Sequence, residues 1–286
     1  MSSPLTVPGL LHALIDDAAV FPPGSAPLAE AIALHRHHRH ARYADALGPL
    51  LVPADSVGEL LELAAPTDDV SVGVIARPGV SLSVADQAAR LVAADPRLHL
   101  ASLDVGWSDD LDTVLDAAPI LAVEIPRGEQ AGTAMTNVER LRGMSTTTVL
   151  AKFRTGCTPT WPWPEAAELA GVILDLVRRG LAFKLTGGLH HAVRQRIAAE
   201  EHHGLLNVIL AVVAAQAGAD QPTLAAILER RDGAGLAREV GNLGAGHVAR
   251  MRRLFTSYGC CTVLDPLTEL AKLGCLAPAL IPEETP

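Results

Sequence analysis

Aromatic residues are scarce in this chain of 286 residues. Phe, Trp and Tyr together make up 3% of the sequence, whereas hydrophobic residues make up 49% of it. The core must therefore be built from Leu, Val, Ile and Ala, which suits helices packed on β-branched strands. A chain of this length suits either one large α/β domain or two small ones.

Other absences exclude whole classes of protein. The formal net charge of −9 argues against a nucleic-acid or anionic-membrane surface, because either partner requires a basic patch. No uncharged apolar run reaches the ~18 residues of a membrane span, and no signal-peptide pattern opens the chain. The four cysteines show no CxxC spacing and are most simply reduced thiols. These features predict a cytoplasmic protein that binds neither nucleic acid nor membranes, and they leave a homo-oligomer open.

Short apolar runs that alternate with helical patterns predict the fold. Most of these runs are too short and too rich in β-branched residues to be helices. The predicted strands are 14–21, 48–53, 70–77, 98–105, 120–126, 147–154 and 181–186, with an eighth near 256–261. This series favours a closed (β/α)8 TIM barrel of the α/β class over a doubly wound sheet.

One region interrupts the alternation of strands and helices. From 193 to 253 the pattern is helical throughout, and it includes the very apolar run 205–215. We therefore expect residues 1–286 to form a single barrel domain, with 193–253 as a helical insertion before the last strand.

Lysine is even scarcer than the aromatic residues. Of 23 basic side chains only three are lysine, at positions 152, 184 and 272. Two of them lie in twin motifs, Lys152-Phe-Arg-Thr-Gly and Lys184-Leu-Thr-Gly-Gly. In a barrel, both motifs fall at the carboxyl ends of neighbouring strands, which is where catalytic groups gather.

The choice of lysine at these two positions carries chemical information. An arginine would bind anions equally well, whereas only lysine offers an amine that can become neutral and nucleophilic. A like charge nearby favours that neutral form. We therefore expect Lys152 to form a Schiff base with a small carbonyl compound, assisted by Lys184 and without a cofactor. The alternative is a non-catalytic barrel in which both lysines bind small anions.

The order of these motifs resembles the class I aldolases of the deoxyribose-phosphate aldolase type. That family ends its sixth strand with Lys-x-Ser-Thr-Gly and its seventh with Lys-x-x-Gly-Gly. Its first, fourth and fifth strands carry acidic residues that match Asp16, Asp104 and Glu124 here. The resemblance extends over about residues 11–191 and 255–265.

This resemblance implies a lyase of small-molecule metabolism. Lys152 would be the nucleophile and Lys184 its partner, while Asp104, with Asp16 and Glu124 as further candidates, would carry protons. The predicted substrate-binding residues are Arg154, Thr155, Gly187, Gly188, His190, His191, Gly259 and Cys260.

Two positions depart from the family pattern. Arg154 replaces a small hydroxyl residue next to the nucleophile, and we expect it to bind a substrate carboxylate or phosphate. Cys260 and Cys261 replace the serines of the family's phosphate loop. A second resemblance, to a widespread uncharacterised bacterial family, rests on Phe-Pro-Pro at 21–23, the first lysine motif, and Gly-Leu-His-His followed by His-Gly-x-x-Asn; it implies no function.

Histidines support a rival hypothesis. His190, His191, Glu201 and His203 follow the second lysine motif closely, and at the barrel mouth they could hold a metal ion that activates water. That set would make the protein a metal-dependent hydrolase or isomerase. A separate histidine-rich run at 35–40 is expected to be the solvated end of a helix.

Two tryptophans occupy a proline-rich segment, Trp-Pro-Trp-Pro at 161–164, directly after the first lysine motif. A rigid aromatic loop at this place would stack on a substrate ring, or its indoles would cover the barrel rim.

Overall fold

The computed structural model describes residues 6–282 and contains a closed barrel of eight parallel strands. The strands within these residues are β1 (Ile15–Asp17), β2 (Leu47–Pro53), β3 (Val70–Ile75), β4 (Leu98–Gly106), β5 (Ile120–Glu124), β6 (Thr148–Arg154), β7 (Phe183–Thr186), β8 (Gln195–Ile197), β9 (Glu200–His202) and β10 (Phe255–Cys260). Around the ring the order is β1, β10, β7, β6, β5, β4, β3, β2. The predicted TIM barrel is confirmed, and β10 closes it by pairing with both β1 and β7.

Helices follow or separate these strands. They are α1 (Leu28–Arg39), α2 (Val57–Leu63), α3 (Leu82–Ala94), α4 (Ala131–Arg142), α5 (Ala166–Arg178), α6 (Leu205–Gln216), α7 (Gln221–Glu229), α8 (Gly233–Gly241), α9 (Ala245–Leu254) and α10 (Leu264–Lys272). Over residues 6–282, none of them is long and apolar enough to cross a membrane.

Helix α5 illustrates how the sequence builds the outer layer. Leu169, Ile173 and Leu176 recur at helical spacing and are fully buried against the barrel. Burying each of these side chains contributes about 1.5–3 kcal/mol. The helix ends at Arg178, and Gly180 follows with a φ of +60°, a conformation that glycine adopts without strain.

Alternation along the strands separates an apolar layer from a polar one. On β6, Ala151 and Phe153 are buried in the aliphatic core between barrel and helices, whereas Lys152 and Arg154 point into the barrel. Successive side chains of a strand face opposite ways, so every second residue near a strand end reaches the barrel interior. The interior of this barrel thereby acquires its charged groups.

The insertion before the last strand is only partly helical, so the prediction for 193–253 was wrong at its start. Strands β8 and β9 form an antiparallel hairpin, and helices α6 to α9 follow it. Apart from Ile197, the residues of these two strands are polar and carry no apolar stripe, so nothing favours a packed helix there. Ala198, with a φ of +54°, makes the turn. The apolar run that suggested a helix begins only at Leu205, where α6 starts.

The histidine-rich end of α1 is also unlike its prediction, because two of its histidines are buried rather than solvated. Nδ1 of His35 lies 2.9 Å from Oδ2 of Asp17, and Nδ1 of His38 lies 2.7 Å from the Tyr43 hydroxyl. Both rings face the barrel wall, whereas His37 is exposed as expected. The partners come from the end of β1 and from the loop after α1, so the contacts depend on the tertiary fold.

Replacing His35 with alanine should lower the free energy of unfolding by about 3 kcal/mol, because the buried Asp17 carboxylate would lose its side-chain partner. Urea denaturation measures the effect. His37→Ala, on the exposed side of the same helix, should change stability by less than about 0.5 kcal/mol. Equal effects of the two substitutions would show that the buried contact does not stabilise the fold.

Candidate functional site

Two lysines and three carboxylates form a connected network inside the barrel. Nζ of Lys184 lies 2.7 Å from Oδ2 of Asp16 and 3.2 Å from Oδ2 of Asp104. Nζ of Lys152 lies 3.4 Å from the same Asp104 oxygen and 3.1 Å from Oε2 of Glu124. The five residues predicted to be catalytic therefore lie together, joined through Asp104.

The register of the sheet produces this arrangement. Lys152 and Lys184 are direct partners across β6 and β7, and Glu124 is the partner of Lys152 on β5. Because both amines lie within 3.4 Å of one oxygen, they are less than about 7 Å apart, within the Debye length of about 8 Å. The expectation that the two lysines occupy neighbouring strands and one mouth is confirmed.

Small residues around the network complete its hydrogen bonding. Ser102 Oγ donates to Oδ1 of Asp104, and Ser257 Oγ donates to Oδ2 of Asp16, each at 3.0 Å. A side chain at Gly48 would overlap Oδ1 of Asp16, so this position accepts only glycine. None of these three was identified from the sequence, although Ser102 lies two residues before Asp104 on the same face of β4.

Charge interactions outweigh burial for most of these groups. Burial alone would lower the pKa of Lys184, but Asp104 and Asp16 outweigh it and hold that pKa above its ordinary value. Burial would raise the pKa of Asp104, but the ammonium groups of Lys184 and Lys152 outweigh it and keep that pKa low. Lys152 and Arg154 likewise overcome burial and lower the pKa of Glu124. Lys184 is thus held as a cation between two acids.

Asp16 is the one acid on which burial outweighs the opposing charge. Its pKa is raised by burial, with Lys184 acting against the rise. The raised pKa of Asp16 favours a protonated acid. The raised pKa of Lys184, in contrast, requires the Asp16 carboxylate to be charged. The 2.7 Å contact between Lys184 Nζ and Asp16 Oδ2 is the stronger indication, and we treat Asp16 as ionised.

The network opens to solvent at one place. Glu124 and Arg154 have side chains that are 27% and 34% exposed, and Arg154 Nε donates to Oε1 of Glu124 at 3.0 Å. Gly106 follows Asp104 by two residues on β4, and a Cβ at this glycine would meet no atom within 4 Å. The mouth of the barrel is therefore accessible above β4, β5 and β6, beside Lys152.

The Thr-Gly parts of the twin motifs hold the two strand ends together. Thr155 is fully buried, and its hydroxyl donates to the Thr186 carbonyl at 3.2 Å instead of facing a substrate. A Cβ on Gly156 would overlap the Gly187 carbonyl, and one on Gly188 would lie 2.6 Å from the Thr155 carbonyl carbon. The two turns pack backbone against backbone. Three predicted substrate-binding residues, Thr155, Gly187 and Gly188, therefore serve to join the motifs.

The end of β10 also differs from its predicted role. Cys260 is fully buried, its sulfur lies 3.4 Å from the Thr262 carbonyl oxygen and 3.6 Å from Nδ1 of His190, and burial raises its pKa to about 12. The thiol is therefore neutral and does not reach the mouth. Gly259 faces the barrel interior, where its missing side chain leaves space between Leu51 and Thr186.

The histidine cluster is not assembled as a metal site. His191 Nδ1 pairs with Glu269 at 2.8 Å, while Glu201 pairs with Arg231 at 2.6 Å. His203 is buried under Pro164, and His190 faces Cys260. Over residues 6–282, no group of three or more His, Cys, Asp or Glu side chains is placed to hold a metal ion.

One cleft is lined by neither barrel lysine. It measures about 670 Å³ and separates the Trp-Pro-Trp-Pro loop from the β8–β9 hairpin. Trp161 is 45% exposed on its rim, below the guanidinium of Arg127, and Trp163 stacks on His202 at 4.0 Å. Because neither barrel lysine lines this cleft, we place the candidate site at the charged network, where the perturbed groups meet.

Comparison with known proteins finds no matching family model, no similar curated protein and no similar solved structure. The (β/α)8 barrel is a commonly enzymatic fold.

Gly156→Ala should lower the free energy of unfolding by about 3 kcal/mol, because the new methyl group would force the two Thr-Gly turns apart. Thermal or urea denaturation measures the loss. Gly58→Ala provides the matched control, since a Cβ in this helix meets no atom within 4 Å and should be neutral or stabilise by up to about 1 kcal/mol. A Gly156→Ala protein as stable as wild type would refute the packing of the turns.

His203 should make stability depend on pH. Its Nε2–H donates to the Pro164 carbonyl at 2.9 Å, and Arg194 lies 3.3 Å from Nδ1, where a second proton would sit. Burial lowers the pKa of His203 from 6.5 to about 4. The unfolded chain therefore binds more protons between these values, and stability falls as the pH falls from 6.5 toward 4.

Urea denaturation at several pH values tests this linkage. Between pH 6.5 and 4 the wild type should lose up to about 1.4 kcal/mol per pH unit through His203, a contribution that His203→Gln should remove. Parallel curves for wild type and variant across this range would contradict the assignment.

Proposed function

We propose that this protein is an aldolase-like lyase that acts on a small carbonyl compound through a lysine Schiff base. The observation that carries the proposal is the pair of buried lysines on adjacent strands that share the Asp104 carboxylate. Structural ion pairs rarely need two buried lysines in a chain that has only three. Amines flanked by acids inside a barrel mouth suit imine chemistry, which requires proton donors and acceptors at one nitrogen.

The surroundings of the two lysines support different roles for them. Lys184 lies between Asp16 and Asp104, which hold its pKa above the ordinary value, so it acts as a fixed cation. Lys152 contacts the partly exposed Glu124 at 3.1 Å. Lys152 is therefore the proposed nucleophile, and the ammonium of Lys184 stabilises negative charge that develops on substrate oxygen.

Imine formation can proceed here without a net change of charge. The ammonium of Lys152 first passes a proton to Glu124, whose Oε2 is 3.1 Å away, and the neutral amine attacks the carbonyl carbon. The carbinolamine oxygen takes that proton and a second one from the nitrogen, and leaves as water. An ammonium and a ketone thus become a protonated imine and water, so the net charge of the site is the same before and after the reaction.

The protonated imine then accepts the electron pair of the bond that breaks. A carboxylate removes the hydroxyl proton of the substrate, the carbon–carbon bond cleaves, and its electron pair forms the enamine. Asp104 and Glu124 are the two acids in contact with the Lys152 nitrogen, and both are proposed as proton carriers. Protonation of the enamine carbon and hydrolysis of the imine release the second product.

Reductive trapping tests the proposal. When the protein is mixed with a small ketone or aldehyde and reduced with borohydride, Lys152 should become covalently labelled, as peptide mapping by mass spectrometry would show. Lys152→Arg should abolish the labelling at this site, because arginine keeps the charge but is not a nucleophile. Lys272→Arg, remote on α10, is the matched control and should label as the wild type does.

An adduct on Lys184 would exchange the roles of the two lysines and keep the reaction class. If neither barrel lysine is labelled more readily than Lys272 by any carbonyl compound, the imine route is wrong. The lysines would then serve as anion-binding groups in a non-catalytic barrel.

A further inference from the structure

We infer that the substrate is a small, non-phosphorylated 2-oxo acid, with its carboxylate on Arg154 and its keto carbon at Lys152. This inference rests on the proposed Schiff-base function and narrows it to one class of carbonyl compound.

The guanidinium of Arg154 has hydrogen-bonding capacity to spare. Its Nε donates to Oε1 of Glu124 at 3.0 Å, whereas its two terminal amino groups make no hydrogen bond within residues 6–282. Gly187 leaves room for them, since a Cβ there would lie 2.7 Å from Nη1. The side chain is 34% exposed and lies at the open mouth. A guanidinium with free amino groups at an open mouth is suited to a planar carboxylate.

The position of Arg154 limits how far its anion can be from the reacting carbon. Arg154 and Lys152 are two residues apart on one strand, so their Cα atoms are separated by only about 6.6 Å. A single carboxylate, Glu124, contacts both side chains, at 3.1 Å and 3.0 Å. The shared contact with Glu124 therefore favours an anion on Arg154 that is close to the carbon that Lys152 attacks. A carboxylate directly attached to a ketone meets this condition, whereas the terminal phosphate of a sugar does not.

The opposite wall of the barrel is apolar. Strand β2, with Leu51, lies across the ring from β6. Ala18, Leu51 and Ile75 form a small cluster with Phe21 that is separate from the main core. A Cβ on Gly259 would contact both Leu51 and Ala18, so this cluster borders the barrel interior.

At position 260 the end of β10 carries a thiol and no phosphate-binding hydroxyl. Cys260, where the resembled aldolases have a phosphate-loop serine, is buried and its thiol is neutral. The end of the substrate remote from Arg154 therefore meets alkyl groups, which favours a short apolar or uncharged substituent over a phosphate.

Concentration-dependent borohydride trapping on Lys152 tests the inference with defined probes. Pyruvate and 2-oxobutanoate carry the carboxylate, butanone lacks it, and dihydroxyacetone phosphate carries a remote phosphate instead. Arg154→Gln should raise the half-saturating concentration of pyruvate and 2-oxobutanoate at least tenfold more than it changes that of butanone, because only the 2-oxo acids lose a carboxylate partner. Arg77→Gln, which removes an exposed arginine paired with Asp55 at the end of β3, should change none of them.

The outcomes separate the inference from the function on which it rests. If butanone labels Lys152 and the 2-oxo acids label it no better, or if Arg154→Gln affects butanone and pyruvate alike, the substrate class is wrong and the imine chemistry stands. Tighter labelling by dihydroxyacetone phosphate than by pyruvate would also overturn the substrate class. If no probe labels Lys152 in the wild type, the proposed function itself fails.

Discussion

The Asp104 carboxylate, held between two ammonium groups inside the barrel, is the interaction on which the rest of the site depends. Each charge buried here would be costly alone, and each is tolerated because an opposite charge contacts it. Asp16 and Glu124 extend the pairing on either side, and Arg154 completes it at the mouth. Three acids thus balance three cations. The proposed conversion of the Lys152 ammonium into a protonated imine would keep that balance.

The charge balance of the network changes how the presence of two neighbouring lysines is explained. Taken alone, the twin motifs suggest that one amine repels the proton of the other. The structure places a carboxylate between them, which offsets much of that repulsion. What distinguishes the two lysines is their position: Lys184 is enclosed by two buried acids, while Lys152 contacts an acid that is open to solvent. The two side chains are equally buried, at 5% and 4% exposed, so the difference between their surroundings lies in the acids that they contact.

The barrel and the meeting of its lysines could be predicted because both follow from local pattern. Strand length and composition locate the strands within a few residues, and parallel neighbours bring their carboxyl ends together. Features that depend on distant partners could not be predicted. His35 was expected to be solvated, because its partner Asp17 lies on the distant strand β1. Thr155 was expected to bind substrate, because its partner, the Thr186 carbonyl, lies on β7. The β8–β9 hairpin has too few residues and too little apolar pattern to indicate a strand.

The interlocked Thr-Gly turns also determine which parts of the barrel can move. With the Gly156 and Gly187 backbones in direct contact, neither loop can swing outward without displacing the other. Strands β6 and β7 therefore form one rigid block, and the geometry between the two amines is set by the backbone. Any movement of the rim must therefore come from other loops, such as the end of β4, where Gly106 borders free space. The part of the rim at β6 and β7 is fixed, and the part at β4 is free to adapt.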